Sequence, residues 1–336
     1  MNPVYVVEQG TKVRINNGCI QIEKDEGIQS TVLFRSPIAL VSQVVLFGNV
    51  GLTTPAIALF LEKEIDVVFL SAHGEYRGRL MNKVSAHVTL RKSQYLSADS
   101  ADFCLLMAGC FVRAKLQHQK TLLLRHNREL ASASIEKDVE MIRQALSVLE
   151  NKICLNSLRG AEGKAAASYI HGFRQFFSPE WKFERRERRP CPDPVNSLLS
   201  FGYTLLYHNA LSAVEAVGLD PFAGFLHVDV YNRASLGLDL MEEFRPVVDG
   251  VVLWCCRSGQ ITPADFDIVG NTCLIKDPAK KILIRAFEER MNSSYTHPVA
   301  GKKMTMRQCL MEQARQIVHC IQSAPADPCF VPMGFR

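Results

Sequence analysis

In the first part of the chain, apolar positions fall in short runs separated by turn residues, the pattern of strands. Residues 4–7, 12–15 and 19–23 are three such runs, and Asn16-Asn17-Gly18 between the last two predicts a hairpin. Runs 41–47 and 65–70 are mostly apolar and rich in β-branched residues, as expected of largely buried strands. Between them, Thr54 as cap and Pro55 in the first turn predict a helix over 54–63. The segment 71–79 (SAHGEYRGR), with Gly74 and Gly78, reads as a turn-rich hairpin. From about Leu90 the period lengthens. Ile135, Val139, Ile142, Leu146 and Leu149 recur at helical spacing, and 97–119, 196–217 and 306–321 predict further helices. The charged, proline-rich stretch 184–194 (ERRERRPCPDP) is a loop between helices. The expectation is an α+β protein, with a small β-rich N-terminal domain over 1–85 followed by an α-helical domain over 86–336.

Composition narrows the class. With 336 residues, 47% hydrophobic and 22% charged, the chain is neither disordered, collagen-like nor coiled-coil, and is long enough for two cores. A formal charge of +5 permits a local basic surface without demanding one. Eleven cysteines with no CxxC pair read as reduced core thiols, not as a disulfide framework or zinc site. The most apolar stretch, 44–61, is interrupted by Asn49, Gly51, Thr53, Thr54 and Pro55, so no membrane span is expected. The N-terminus has no basic head followed by an apolar run, so no signal peptide is expected, and the location is expected to be cytoplasmic.

There is no P-loop, GxGxxG after a strand, HExxH or GxSxG. Cys255-Cys256 lies in an apolar run and reads as packing. In 156–177 (NSLRGAEGKAAASYIHGFRQFF), small residues surround a single acid, Glu162. Small residues admit close packing, so Glu162 is expected in a crowded interface, where a carboxylate must be paired, protonated or metal-bound. The segment alone favours a salt bridge to Arg159 or Lys164, since structural ion pairs are commoner than metal ligands. In 224–246 (GFLHVDVYNRASLGLDLMEEFRP), His227 is followed by Asp229, Asp239, Glu242 and Glu243. Ser235 can cap a helix on which Asp239 lies near both Glu242 and Glu243. One imidazole with carboxylates is a ligand set for Mg²⁺ or Mn²⁺, and equally describes a solvated acidic face beside a core histidine. Arg185, Arg186, Arg188 and Arg189 could bind phosphate oxygens, although Glu184 and Glu187 partly neutralise them. Lys280-Lys281 and Lys302-Lys303 are similarly ambiguous.

Four segments resemble the CRISPR-associated protein one family: 69–80 (FLSAHGEYRGRL), 158–170 (LRGAEGKAAASYI), 188–208 (RRPCPDPVNSLLSFGYTLLYH) and 216–246 (AVGLDPFAGFLHVDVYNRASLGLDLMEEFRP). The resemblance implies a β-rich dimerisation domain and a helical catalytic domain. It implies an endonuclease and integrase of CRISPR adaptation, acting as a homodimer with the second, smaller adaptation protein. By motif, the metal ligands fall on Glu162, His227 and Glu242, with Asp239 as a further acidic position near the same centre. Helix geometry cannot choose between Glu242 and Glu243; the motif selects Glu242, and Asp229 has no firm counterpart. The implied chemistry is metal-assisted attack of a 3′-hydroxyl or water on a DNA phosphate. Arg159, Arg185, Arg186, Arg188 and Arg189 are expected to contact DNA, and Tyr203 and Tyr207 to pack or touch DNA instead of acting as nucleophiles. Two rivals are a non-catalytic DNA-binding scaffold of the same fold and an unrelated hydrolase of small phosphate esters.

Overall fold

The structure is a computed structural model, describing all residues except 1, 27–28, 81–86, 150–153, 228–229, 232, 324–329 and 335–336. By packing, the chain divides into two compact units, Met1–Val84 with Leu274–Ile284, and Ser85–Cys273 with Arg285–Arg336. The segment Leu274–Ile284 thus packs with the first unit, an exchange over long sequence distance that no local pattern announces.

The first unit holds β1 (Asn2–Val6), β2 (Thr11–Asn16), β3 (Cys19–Glu26), β4 (Gln29–Pro37), β5 (Val41–Phe47), β6 (Val50–Leu52), α1 (Thr54–Glu62), β7 (Asp66–Leu70) and β8 (Tyr76–Leu80). They form two four-stranded sheets, ordered β1-β5-β7-β8 and β4-β3-β2-β6. Strand β5 runs parallel to both β1 and β7, and six of its seven residues are buried, which explains its nearly continuous apolar run. The β2–β3 turn places Asn17 and Gly18 at φ 49° and 70°, the pair of positive values that a tight hairpin needs. Val13, Ile20, Val44, Ala56, Phe60 and Val67 belong to one apolar core spanning both sheets and α1. The cap of α1 is Thr53, one residue before the expected Thr54. Strands β4 and β6 are not foreseen from the sequence. In β4, a sheet edge, Val32, Leu33 and Phe34 are all exposed, so its pattern does not alternate between core and solvent. Lys280 is structural: its ammonium donates to the Ala72 carbonyl at 2.9 Å.

The second unit is helical: α2 (Val88–Ala98), α3 (Ala101–Leu130), α4 (Ala133–Leu149), α5 (Leu155–Phe173), α6 (Pro194–Ala216), α7 (Ser235–Glu242) and α8 (Arg245–Arg257). The ribbon β9 (Phe266–Val269) and β10 (Thr272–Ile275), then α9 (Asp277–Met291), reach across the division of the chain. A ribbon of β11 (Ser294–Thr296) and β12 (Lys303–Thr305) leads into α10 (Met306–Gln322). The helix expected over 97–119 is α3, which begins at Ala101; residues 97–98 end α2, and the two helices are bent by 93°. Ser100 starts the second, its hydroxyl accepting the Phe103 N–H at 3.3 Å. Asp193 caps α6 by accepting the Asn196 N–H at 2.9 Å. Ser235 is the first residue of α7 and not its cap, which is Ala234.

Among the described residues nine cysteines are free thiols, but Cys320 is disulfide-bonded, which corrects the expectation that all are reduced. Burial pushes the Cys255 thiol up to about 12, consistent with packing. Among the described residues, no single helix is long and apolar enough to cross a membrane.

Candidate active site

Helix α3 packs against α5, α7 and α8, so its inner face meets groups far away in sequence. Lys115 lies on that face and is buried. Its ammonium donates to Glu162 Oε1 on α5 at 2.5 Å and pairs with Glu242 Oε2 at the end of α7 at 2.7 Å. Glu162 is therefore paired, as a partly buried acid must be, but with Lys115 and not with Arg159 or Lys164. Glu162 lies where α3 and α5 pack, partly buried, although not every small residue beside it serves that packing. A Cβ added at Gly160 or Gly163 would meet nothing within 4 Å, so these two glycines lie on the exposed side of α5 and admit no close packing.

Glu242 is almost fully buried, with Arg245 Nε 2.7 Å from its Oε1. Burial pushes its carboxyl up, but Arg245, Lys115 and His227 together outweigh it and hold the pKa at about 2. Burial likewise opposes the Lys115 charge; Glu242 and Glu162 overcome it, and the ammonium's pKa lies above its ordinary value. Glu242 and Lys115 are thus both charged at neutral pH.

His227 sits in the loop between α6 and α7, and three elements fold that loop. Gln94 on α2 donates to the carbonyls of Asp220 and Ala223, both at 2.8 Å. Arg159 on α5 donates to the Leu226 carbonyl. Asp239, fully buried on α7, accepts the backbone N–H groups of Phe225, Leu226 and His227 at 2.6, 2.9 and 3.0 Å. Glycine is required at 224, because a Cβ there would stand 2.8 Å from the Ser235 backbone and 2.9 Å from Asp239 Oδ2. Asp239 Oδ1 also lies 2.6 Å from His227 Nδ1. An Nδ1–H donated there leaves the Nε2 lone pair free, and Nε2 is 4.0 Å from Glu242 Oε1. Asp239 therefore orients the imidazole toward the acids. Asp229 lies outside the described residues.

Beside this cluster is a cleft of about 490 Å³, lined by Lys115, Gln119, Glu162 and Tyr203 and walled by Arg174, Arg185, Arg186, Arg188 and Arg245. Arg186 is fixed, donating to Asn196 Oδ1 at 2.7 Å and Ser200 Oγ at 2.8 Å. Arg185 is exposed and pairs with Glu187 at 2.7 Å; Arg189 is exposed but is not part of the cleft lining. Tyr203 and Tyr169 donate to the two oxygens of buried Asp249 at 2.5 and 2.7 Å, and the Arg245 guanidinium lies 4.9 Å from the Tyr203 ring centre. Burial and then Asp249 raise both phenols well above their ordinary pKa, so neither is a ready nucleophile.

Lys115, Arg174 and Arg245 were not singled out from the sequence. Among the described residues, no three His, Cys, Asp or Glu side chains form a ready metal ligand set. The donors still suit a hard divalent cation: Glu162 and Glu242 converge on one positive charge, and His227 turns its free nitrogen toward Glu242.

Two acids paired to one lysine, an oriented imidazole and an arginine-walled cleft define an α+β protein whose helical unit carries a centre suited to phosphodiesters. The chain belongs to the Cas1 family, the model for CRISPR associated protein Cas1 matching residues 4–289. A curated relative, the CRISPR-associated endonuclease Cas1 1 of Chlorobaculum tepidum, is 35% identical over 320 residues, 91% of each chain. The fold is similar to a casposase solved bound to its integration product (TM-score 0.86, 22% identity, 97% of this chain and 92% of that one). It is also similar to part of a chain in a Cas6-RT-Cas1–Cas2 complex (TM-score 0.84, 22% identity, 100% of this chain and 36% of that one).

Proposed function

We propose that this chain is a divalent-metal-dependent DNA endonuclease and integrase of CRISPR adaptation, inserting captured fragments into the repeat array by 3′-hydroxyl strand transfer. The observation that carries this reading is the convergence of Glu162 and Glu242 on one cation, beside an oriented His227 and at the edge of a cleft walled by arginines. Glu162, His227 and Glu242 would hold Mg²⁺ or Mn²⁺. Such an ion supplies positive charge to the phosphoryl oxygens and lowers the pKa of the attacking hydroxyl. Asp239 keeps the His227 ring turned inward. Arg174, Arg185, Arg186 and Arg188 grip backbone phosphates, which makes binding salt-sensitive and largely independent of sequence. With water in place of the 3′-hydroxyl, the same centre nicks DNA.

The reading extends to partners. The similar Cas6-RT-Cas1–Cas2 complex includes Cas2, which supports the small adaptation protein as a partner. The exposed Val32-Leu33-Phe34 edge of β4 supports pairing of two copies through the first unit. A cytoplasmic location fits this role.

The non-catalytic scaffold reading draws on one observation, that Lys115 and Arg245 already neutralise the acids. A strand-transfer assay with Mn²⁺, with EDTA and with Glu162→Ala separates the two. The integrase reading expects product with Mn²⁺ only, none from Glu162→Ala, and DNA affinity retained in that variant. Product formed in EDTA or by Glu162→Ala would remove the catalytic assignment.

A further inference from the structure

Lys115 is not a ligand in the proposed chemistry, yet it holds both acids. Its ammonium is 2.5 Å from Glu162 Oε1 and 2.7 Å from Glu242 Oε2, in a buried setting. Mg²⁺ takes carboxylate oxygens at about 2.1 Å. A dication and an ammonium sharing the same oxygens would stand almost in contact, and in a site poor in water their repulsion is strong. Neutrality points the same way. Glu162 and Glu242 are already balanced by Lys115 and Arg245, so an added dication leaves an excess unless a cation withdraws.

We propose that Lys115 is a tethered counter-cation: it closes the Glu162–Glu242 pair in the metal-free protein and leaves it when the divalent ion binds. This rests on the metal-dependent reading above. A place for the displaced ammonium exists one turn along α3. Gln119 lines the same cleft, is buried, and its Oε1 has no hydrogen-bond partner among the described residues. A bare amide oxygen in a protein interior is costly, and residues four apart on a helix are neighbours. Lys115 moving to Gln119 therefore satisfies the oxygen while freeing the acids. While the ammonium remains on them, only a fraction of molecules is competent for metal, and the apparent affinity falls by that fraction.

The test is Mn²⁺ titration of the DNA-free protein, followed by electron paramagnetic resonance, for wild type, Lys115→Met and Lys115→Arg. Methionine keeps the length of the side chain without its charge. Lys115→Met is expected to bind Mn²⁺ at least about tenfold tighter than wild type. Its thermal midpoint, lowered in EDTA, should rise more on adding Mn²⁺ than the wild-type midpoint does. Lys115→Arg, with a permanent and bidentate cation, should bind no tighter than wild type. Equal or weaker affinity in Lys115→Met overturns the proposal. If that variant folds only with Mn²⁺ present, the dication has taken the place of the ammonium, as proposed; if it folds under neither condition, the two cations are not interchangeable and the proposal fails. Wild-type protein lacking any Glu162-dependent Mn²⁺ binding would overturn the metal reading itself, and this proposal with it.

Discussion

Glu242 and Glu243 are neighbours in the chain, yet their carboxylates face opposite environments. Glu242 meets Lys115, Arg245 and His227. Glu243 is sealed from solvent and, among the described residues, its carboxylate accepts only from neutral donors, Gln313 Nε2 at 2.8 Å and the Met333 N–H. The end of α7 thus sets one acid in the candidate site and the next in the packing.

Their titrations run in opposite directions. Burial pushes Glu243 from 4.5 up to about 7. Its protonated form suits the folded state, so stability falls as pH rises from about 4.5 to 7, by on the order of 3 kcal/mol. Glu242, depressed to about 2, adds stability above pH 4.5 that is lost as pH falls toward 2. Urea unfolding at pH 5 and pH 8 should show Glu243→Met gaining on wild type at the higher pH. A wild-type-to-variant difference that does not change with pH refutes the assignment.

Asp239→Asn keeps the shape of a side chain that orders three backbone N–H groups and the His227 ring. It removes the anion that fixes the ring's tautomer. Loss of such an orienting partner costs about 10–100-fold in metal affinity. Mn²⁺ titration checks this directly, and wild-type affinity in Asp239→Asn would show that His227 needs no anchor.

Tyr203→Phe should leave strand transfer within an order of magnitude of wild type, because the phenol serves Asp249 and the Arg245 guanidinium. Stability should fall by about 1–2 kcal/mol, since buried Asp249 loses one of its two phenol donors. Abolished transfer with normal folding would give Tyr203 a chemical role.

Elements made by local pattern were legible. Asn17-Gly18 announced its turn, and Glu162 stood out as a lone acid among small residues. Lys115 could not, because it is an ordinary helical lysine until α3, α5 and α7 pack around it. The choice between Glu242 and Glu243 was likewise hidden from the helix period, since Gln313 and Met333 come from much later in the chain. Ser100 did leave a local signal, a serine and aspartate cluster at 97–102, that could have revealed the break between α2 and α3. Strand β4 escaped because its apolar residues serve an edge and not a core.

The bare face of α5 has one more consequence. Gly160 and Gly163 present bare backbone on the exposed side of α5, and neither is among the residues that line the arginine-walled cleft, so a larger residue at either position should leave the cleft unchanged.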